Sequence, residues 1–295
     1  MTLRDWLAAC GLARVDAQAL AQHVLGLTRA QLVTHDARVL APHEQQALST
    51  GTAALSRGVP LAYVTGHKEF YSLRFAVSPA VLVPRPETEL LVDTGLQVLA
   101  AVSHTRAPQV LDLGTGSGCI AIALAMHAPQ AQVWAVDASE PALAVAARNN
   151  AALASGRVQL RRSDWFAALG DARFDLIVAN PPYVAQGDVH LAALRHEPDT
   201  ALTAGPDGLR DLRRIIAHAP SHLHAGGWLW LEHGHDQAAA VRALLADAGF
   251  AQVNSQRDLA GIERISGGIW PAGAAASGPG TQRLQFEQHN LERDD

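Results

Sequence analysis

Cysteine is scarce in this chain of 295 residues: only Cys10 and Cys119 occur. Two cysteines make neither a disulfide framework nor a four-thiolate zinc site, so two free thiols in a reducing compartment are expected. No apolar stretch reaches the roughly 18 residues that a membrane span needs. Arg4 and Asp5 stand where the apolar run of a signal peptide would lie. A soluble, cytoplasmic protein without a membrane partner is the expectation. Basic excess is missing too: the formal net charge is -5, which argues against direct nucleic-acid binding. Only 17% of residues are charged against 48% hydrophobic, a balance that excludes a disordered chain and allows a sizeable core. Fourteen histidines are present, but no HExxH or CxxC accompanies them, so no metal is expected. His218, His222 and His224 are expected on a helix surface. Cys119 stands at the start of a helix, where a thiol can be mildly acidic, though packing is its expected role. Ser117 has no His and Asp partners that would make it a nucleophile.

The pattern along the chain changes three times. Residues 1–58 read as a small helical domain: Leu3, Trp6, Leu7 and Cys10 fall at helical spacing, as do Ala19, Leu20, His23, Val24 and Leu27. Asp16 is a candidate cap for the second helix, and Pro42 suits the first turn of another that runs through Leu48 and Leu55. Residues 59–84 are rich in β-formers, Phe70, Leu73, Phe75, Val77, Val81 and Val83, and read as a β-hairpin linker. Pro84-Arg85-Pro86 ends it, and a helix is expected from Glu87 to Ala101. From Gln109 short apolar runs alternate with helical segments. Val110–Leu113, Gln132–Val136, Val158–Leu160, Phe174–Ala179 and Gly227–Glu232 read as strands. Ile120–His127, Pro141–Ala152, Leu209–Ala219 and Asp236–Ala248 read as the helices between and beyond them. Such alternation means an α/β fold, a mostly parallel sheet with helices on both faces. Residues 85–270 form this domain. Residues 271–295 open with a Pro/Ala/Gly/Ser linker composition and end polar, and they read as a disordered tail.

Strand Val110–Leu113 runs into Gly114-Thr115-Gly116-Ser117-Gly118 and then a helix. Glycines there let the backbone turn sharply and approach a ligand. The spacing is G-x-G-x-G rather than the dinucleotide G-x-G-x-x-G, and Asp112 is unusual at the end of a buried strand. The second strand ends in Asp137, about 20 residues on, where a carboxylate accepts hydrogen bonds from two ribose hydroxyls; capping the next helix is the bland alternative, which Ser139 also serves. The third strand ends Ser163-Asp164-Trp165, with Asp164 placed for an adenine amine and Trp165 for the ring's flank. The fourth ends Asn180-Pro181-Pro182-Tyr183. Ligands bind beyond the carboxyl ends of such strands, so the glycine loop, Asp137, Trp165 and this tetrapeptide converge on one crevice.

The tetrapeptide answers one chemical problem. An amide nitrogen is a poor nucleophile because its lone pair is delocalised. The Asn180 side-chain oxygen and the Pro181 carbonyl can accept hydrogen bonds from its two N–H groups and move density onto nitrogen. Two prolines hold those acceptors in place, and Tyr183 can lie against the planar group. Transfer from a sulfonium methyl releases a neutral thioether, so no metal is required.

These residues resemble the release factor glutamine methyltransferases. The resemblance covers about residues 3 to 266. It rests on Asp112–Gly118, Asp137, Ser163-Asp164-Trp165-Phe166, Asn180–Tyr183, the linker Val83-Pro84-Arg85-Pro86-Glu87-Thr88-Glu89, Leu231-Glu232-His233-Gly234 and the helical N-terminal region. It implies a seven-stranded Rossmann-like S-adenosylmethionine-dependent methyltransferase domain preceded by a helical domain for substrate recognition. It implies that Gly114, Thr115, Gly116, Ser117, Gly118, Asp137, Asp164, Trp165 and Asn180 bind S-adenosyl-L-methionine. It implies that Asn180, Pro181, Pro182 and Tyr183 hold the glutamine of a Gly-Gly-Gln loop in peptide chain release factors, the proteins of translation termination. The product would be N5-methylglutamine. The tail departs from the family's pattern.

Two rivals share the tetrapeptide. A DNA adenine or cytosine methyltransferase acts on a flipped base, but the first 58 residues carry few basic residues and acidic ones offset them. A ribosomal-protein glutamine methyltransferase would use the same chemistry; the Arg85–Glu89 linker favours release factors. A cofactor-binding regulator leaves Asn180–Tyr183 unexplained, and a nicotinamide enzyme lacks the loop spacing.

Overall fold

A computed structural model describes residues 1–102 and 106–272. The expected tail lies almost wholly outside the described residues.

Five helices open the chain: α1 (Leu3–Ala9), α2 (Arg14–Leu25), α3 (Arg29–Thr34), α4 (Pro42–Ser56) and α5 (Leu61–Thr65). Leu3, Trp6, Leu20, Leu32, Leu40 and Leu48 close on one another as their core. Thr2 with Asp5 and Thr28 with Gln31 form capping boxes that start α1 and α3, each satisfying two orphan N–H groups. The expected Asp16 cap is a correction. Ala13 occupies the cap position of α2 without a side-chain bond, and Asp16 sits inside the first turn, where its charge favours the helix dipole. Pro42 stands at the start of α4 as expected.

The hairpin β1 (His67–Phe70) and β2 (Leu73–Ala76) pairs antiparallel across Tyr71 and Ser72, both at positive φ. Val77, Val81 and Val83 do not extend it. They pack instead with Ala62 of α5 and with Ala142. Pro86–Thr88 then form one 3-10 turn ahead of α6 (Glu89–Ala101).

The remaining elements are β3 (Gln109–Leu113), α7 (Cys119–His127), β4 (Gln132–Asp137), α8 (Glu140–Ala154), β5 (Gln159–Arg162), β6 (Phe174–Ala179), α9 (Arg210–His218), β7 (Leu223–Glu232), α10 (Ala238–Asp247), β8 (Ala251–Arg257) and β9 (Glu263–Ile269). They build a seven-stranded sheet of order β5-β4-β3-β6-β7-β9-β8, with only the β9 and β8 pairings antiparallel. Alternation along β6 explains its two cores. Leu176 and Val178 face one layer with Leu91, Ile122 and Leu124. Ile177 and Ala179 face the other with Leu212, Ile215 and Val241, and Phe174 joins them because the register shifts between Phe174 and Leu176. Helix α7 is buried from Cys119 to Ala125, as an all-apolar helix must be.

Sequence order runs outward from β3 to β5 on one side and from β6 onward on the other. The switch therefore lies between β3 and β6, where a crevice opens beyond the strand ends. Leu113 pairs Ala179 across that junction, so Gly114 and Asn180 leave the sheet side by side.

Two of the histidine expectations need correction. His222 is buried: its ring stacks on Phe166 at 4.7 Å and its Nδ1 pairs with the Ala172 carbonyl at 2.9 Å. It follows α9 in a 3-10 turn rather than standing on the helix surface, and His224 lies on β7. The Cys119 thiol is not acidic; burial pushes it up to about 12, and packing is its role.

Candidate active site

A cavity of about 730 Å³ opens at the switch. The structure brings to its wall Gly114, Thr115, Gly116 and Ser117 from the loop after β3, Asp137 from β4, Asp164 and Trp165 beyond β5, and Asn180 and Pro182 beyond β6. Gly118, Pro181 and Tyr183 do not line it. Gly118 is the left-handed cap of α7.

The glycine loop is held from behind. Thr115 Oγ1 donates to Asp112 Oδ2 at 2.6 Å, and Thr115 N donates to the Val136 carbonyl at 2.9 Å. Asp112 is fully buried, its Oδ1 has no hydrogen-bond partner, and burial raises its carboxyl to about 7. Asp137 accepts from Gly116 N at 2.9 Å and Ser139 N at 2.8 Å, while Ser139 itself caps α8. Burial still raises the Asp137 pKa. Each Asp137 oxygen keeps a free acceptor direction for a diol. Gly114 must be glycine: φ is +70°, and a Cβ there would sit 3.2 Å from the Trp165 ring. Trp165 is itself at φ 52°, an uncommon conformation for a large residue, which turns its ring over the loop. Asp164 meets a partner that the sequence did not announce. Both its oxygens accept from Arg214 of α9, at 2.9 and 2.8 Å.

These features fit S-adenosylmethionine. The wall supplies a glycine loop that lets a backbone-contacting ligand approach, a carboxylate with free acceptor directions, and an aromatic face. Ser117 Oγ is buried there without a partner. When bound, the cofactor supplies an electrophilic methyl group on sulfur.

At the other end, Asn180 Nδ2 donates to Thr88 Oγ1 at 3.1 Å, so its Oδ1 is left as an acceptor. The Tyr183 hydroxyl donates to Glu232 Oε1 at 3.2 Å, and burial raises its pKa further above the ordinary phenol value. Gln237 Nε2 donates to the Tyr183 carbonyl at 3.0 Å. Beyond Tyr183, Val184 bridges to Thr203 and anchors the segment that leads into α9. Glu197 in that segment is buried, pairs with Arg85 and accepts from Val83 N at 3.0 Å. Thr88, Glu232, Glu197 and Arg214 carried no role in the sequence reading. Thr88 and Glu232 lay inside stretches that resemble the family, which was the available signal.

Residues 3–66 match the family described as PrmC N-terminal domain, and residues 88–201 match Methyltransferase small domain. The release factor glutamine methyltransferase of Bordetella pertussis is 51% identical over 269 residues, covering 90% of this chain and 98% of that protein. The chain belongs to the release factor glutamine methyltransferase family. The glutamine methyltransferase of Burkholderia pseudomallei is 48% identical, covering 92% of this chain and 96% of its own. A methyltransferase from Pyrococcus furiosus shares the fold at a TM-score of 0.52 and 19% identity, covering 76% of this chain and all of that one. Among the described residues no cluster of histidine, cysteine and carboxylates could hold a metal ion, and no helix is long and apolar enough to cross a membrane.

Proposed function

We infer that this protein transfers a methyl group from S-adenosyl-L-methionine to the side-chain amide nitrogen of a glutamine in peptide chain release factors, giving N5-methylglutamine. The observation that carries the reading is the join of the glycine loop to Asn180 across one crevice, in a chain of this family. The Gly-Gly-Gln loop is the substrate segment, and the two free cysteines fit action in the reducing cytoplasm.

Gly114–Ser117 and Asp137 line the wall and would hold the cofactor's methionine and ribose parts, with Trp165 flanking its base. Asp164 serves the base while held by Arg214. Asn180 Oδ1 and the Pro181 carbonyl accept the two N–H groups of the target amide. As nitrogen is alkylated it gains positive character, and these acceptors strengthen with that charge. Pro182 stiffens the turn, and Tyr183 orients the amide plane. Residues 1–58 with the 59–84 linker recognise the release factor.

The test is incubation with labelled S-adenosylmethionine and purified release factor, followed by mass spectrometry of the Gly-Gly-Gln peptide. A methyl group on that glutamine is expected. An unlabelled release factor, with label on a ribosomal protein or DNA offered in parallel, would overturn the substrate.

A further inference from the structure

Helix α9 carries three arginines, and each holds its own acid. Arg210 pairs with Asp211, Arg213 with Asp207 and Arg214 with Asp164. The first two pairs stay within α9 and the turn before it. The third leaves the helix. Arg214 reaches to the segment after β5, and its two end nitrogens donate one to each oxygen of Asp164, at 2.9 and 2.8 Å. Both partners line the crevice, as Trp165 does.

This pair does little for the fold. Its side chains are 45% and 58% exposed, and ion pairs so open to water contribute little to stability. What it fixes is a direction. The backbone on each side is already held. Leu212, Ile215 and Ile216 anchor α9 in the core. The buried Ser163 hydroxyl accepts from Ala168 N at 3.0 Å and donates to the Trp165 carbonyl at 2.7 Å, closing the turn around Asp164. The torsions of the Asp164 side chain are what remain, and a two-bond fork on a planar carboxylate sets them.

The consequence is chemical. A carboxylate accepts and cannot donate, and its two oxygens offer about four acceptor sites. Arg214 occupies one on each oxygen. The remaining sites lie in the plane that the guanidinium dictates. A ligand group that meets Asp164 at the crevice wall must therefore bring an N–H or O–H. An amino-purine brings its exocyclic amine. An oxo-purine brings a carbonyl oxygen in that place, and two acceptors then face each other.

We propose that Arg214 is a positioning residue that sets the specificity for the cofactor's base: by locking the Asp164 carboxylate as a fixed acceptor, it makes the crevice select an exocyclic amine and reject its oxo counterpart. The proposal rests on the reading of Asp164 as the residue that serves the base, and adds to it the residue that gives it selectivity. Without the fork, Asp164 is free to turn into water, where it neither binds the amine nor opposes the oxygen. Both neighbouring arginines are engaged elsewhere. Arg210 holds Asp211 and the Thr203 carbonyl, and Arg213 grips Asp207 with both end nitrogens.

The experiment is calorimetric titration of S-adenosylhomocysteine, and of S-inosylhomocysteine as its oxo counterpart, into the full chain and into Arg214→Ala, Arg214→Lys and Asp164→Asn. The unaltered protein should prefer the amine about tenfold or more. In Arg214→Ala the preference should shrink to within about threefold, because the adenine compound weakens and the oxo compound does not. Arg214→Lys keeps the charge without the fork, and should restore only part of the preference. Tm of both Arg214 variants should stay within about 2 °C, as for surface substitutions. With release factor present, the loss should fall on the KM for S-adenosylmethionine rather than on kcat. No preference in the unaltered protein, an undiminished preference in Arg214→Ala or Arg214→Lys, or an equal loss of both compounds overturns the proposal. If Asp164→Asn abolishes the preference while Arg214→Ala keeps it, the role of Arg214 alone falls. If Asp164→Asn keeps it too, the reading of Asp164 falls with it.

Discussion

Replacing Asp137 by alanine strips two backbone N–H groups at once. Gly116 N and Ser139 N each donate to this carboxylate, at 2.9 and 2.8 Å. One bond ties the glycine loop to β4, and the other sets the turn into α8. Hydrogen bonds to a charged acceptor contribute about 1.5–3 kcal/mol each. The carboxylate's own burial, seen in its raised pKa, offsets part of that sum. A net stability loss of about 2–4 kcal/mol follows, which is roughly 4–12 °C in Tm for a chain of this size. Cofactor affinity should fall by a further 1–3 kcal/mol or so, about 5- to 150-fold in Kd, as the ribose loses its acceptors. Asp137→Asn is the informative companion. It keeps the shape but turns an NH2 group toward one of the two backbone N–H groups, so it should lose nearly as much as alanine. The assays are thermal unfolding of the cofactor-free protein and calorimetric titration of S-adenosylmethionine. Unchanged Tm and Kd in either variant refute the reasoning. A lower Tm with unchanged Kd leaves Asp137 as a loop tie and removes it from the ribose.

Asn180→Ala should cost kcat about 10²-fold or more with a modest change in cofactor Kd, read by single-turnover methylation of the release factor; near-normal turnover sinks the clamp. Stability of the cofactor-free protein should fall as pH rises from about 4.5 to about 7. Over that window the unfolded chain releases the Glu232 proton while the folded one still holds it, and the folded pKa is about 7. At about 1.4 kcal/mol per unit the Glu232 share is at most about 3 kcal/mol, and Glu232→Gln should make that part of a urea-midpoint profile shallower, leaving the fall from Asp112, which burial also raises to about 7. Gly208→Ala should lower both Tm and kcat, because φ is +71° there and a Cβ would overlap the Tyr183 carbonyl; unaltered kinetics would show that the clamp tolerates the shift. A chain cut after Ala272 should keep activity and Tm, since the remaining Gly/Ala/Pro-rich segment carries little apolar surface to bury; a large drop in either would assign the tail a role.

Some of this molecule could be read directly, and the reason is contiguity. The glycine loop and Asn180–Tyr183 are each one stretch of chain, and their chemistry needs only neighbours in sequence. Strands β3, β4 and β6 are apolar runs flanked by helices, so the sheet's centre was legible. Strand β5 was legible only in part, because Gln159, Arg161 and Arg162 are exposed at the edge. Helices α3 and α5 span six and five residues, too short for a period to show, although Thr28-x-x-Gln31 is a cap signal. The partners of the clamp were not legible. Thr88 stands 92 residues from Asn180 and Glu232 stands 49 from Tyr183, and nothing local in sequence says that a strand-ending glutamate will turn toward either. His222 misled for a related reason: its burial comes from Phe166, on another element.

The segment after Tyr183 has two jobs. Arg195 and His196 both bond the carbonyl of Arg57, at the end of α4, while Glu197 grips Arg85 and Val83 in the linker. The same segment contributes Pro198, Thr200 and Ala201 to the wall of the crevice. The distance from the helical domain to the methyl-transfer point is thus set by a strut that is also part of the reaction chamber. Such a frame works as a caliper. In the proposed reading, a release factor seated on the helices would have its glutamine held at that reach, whereas a free peptide would present the glutamine without the span.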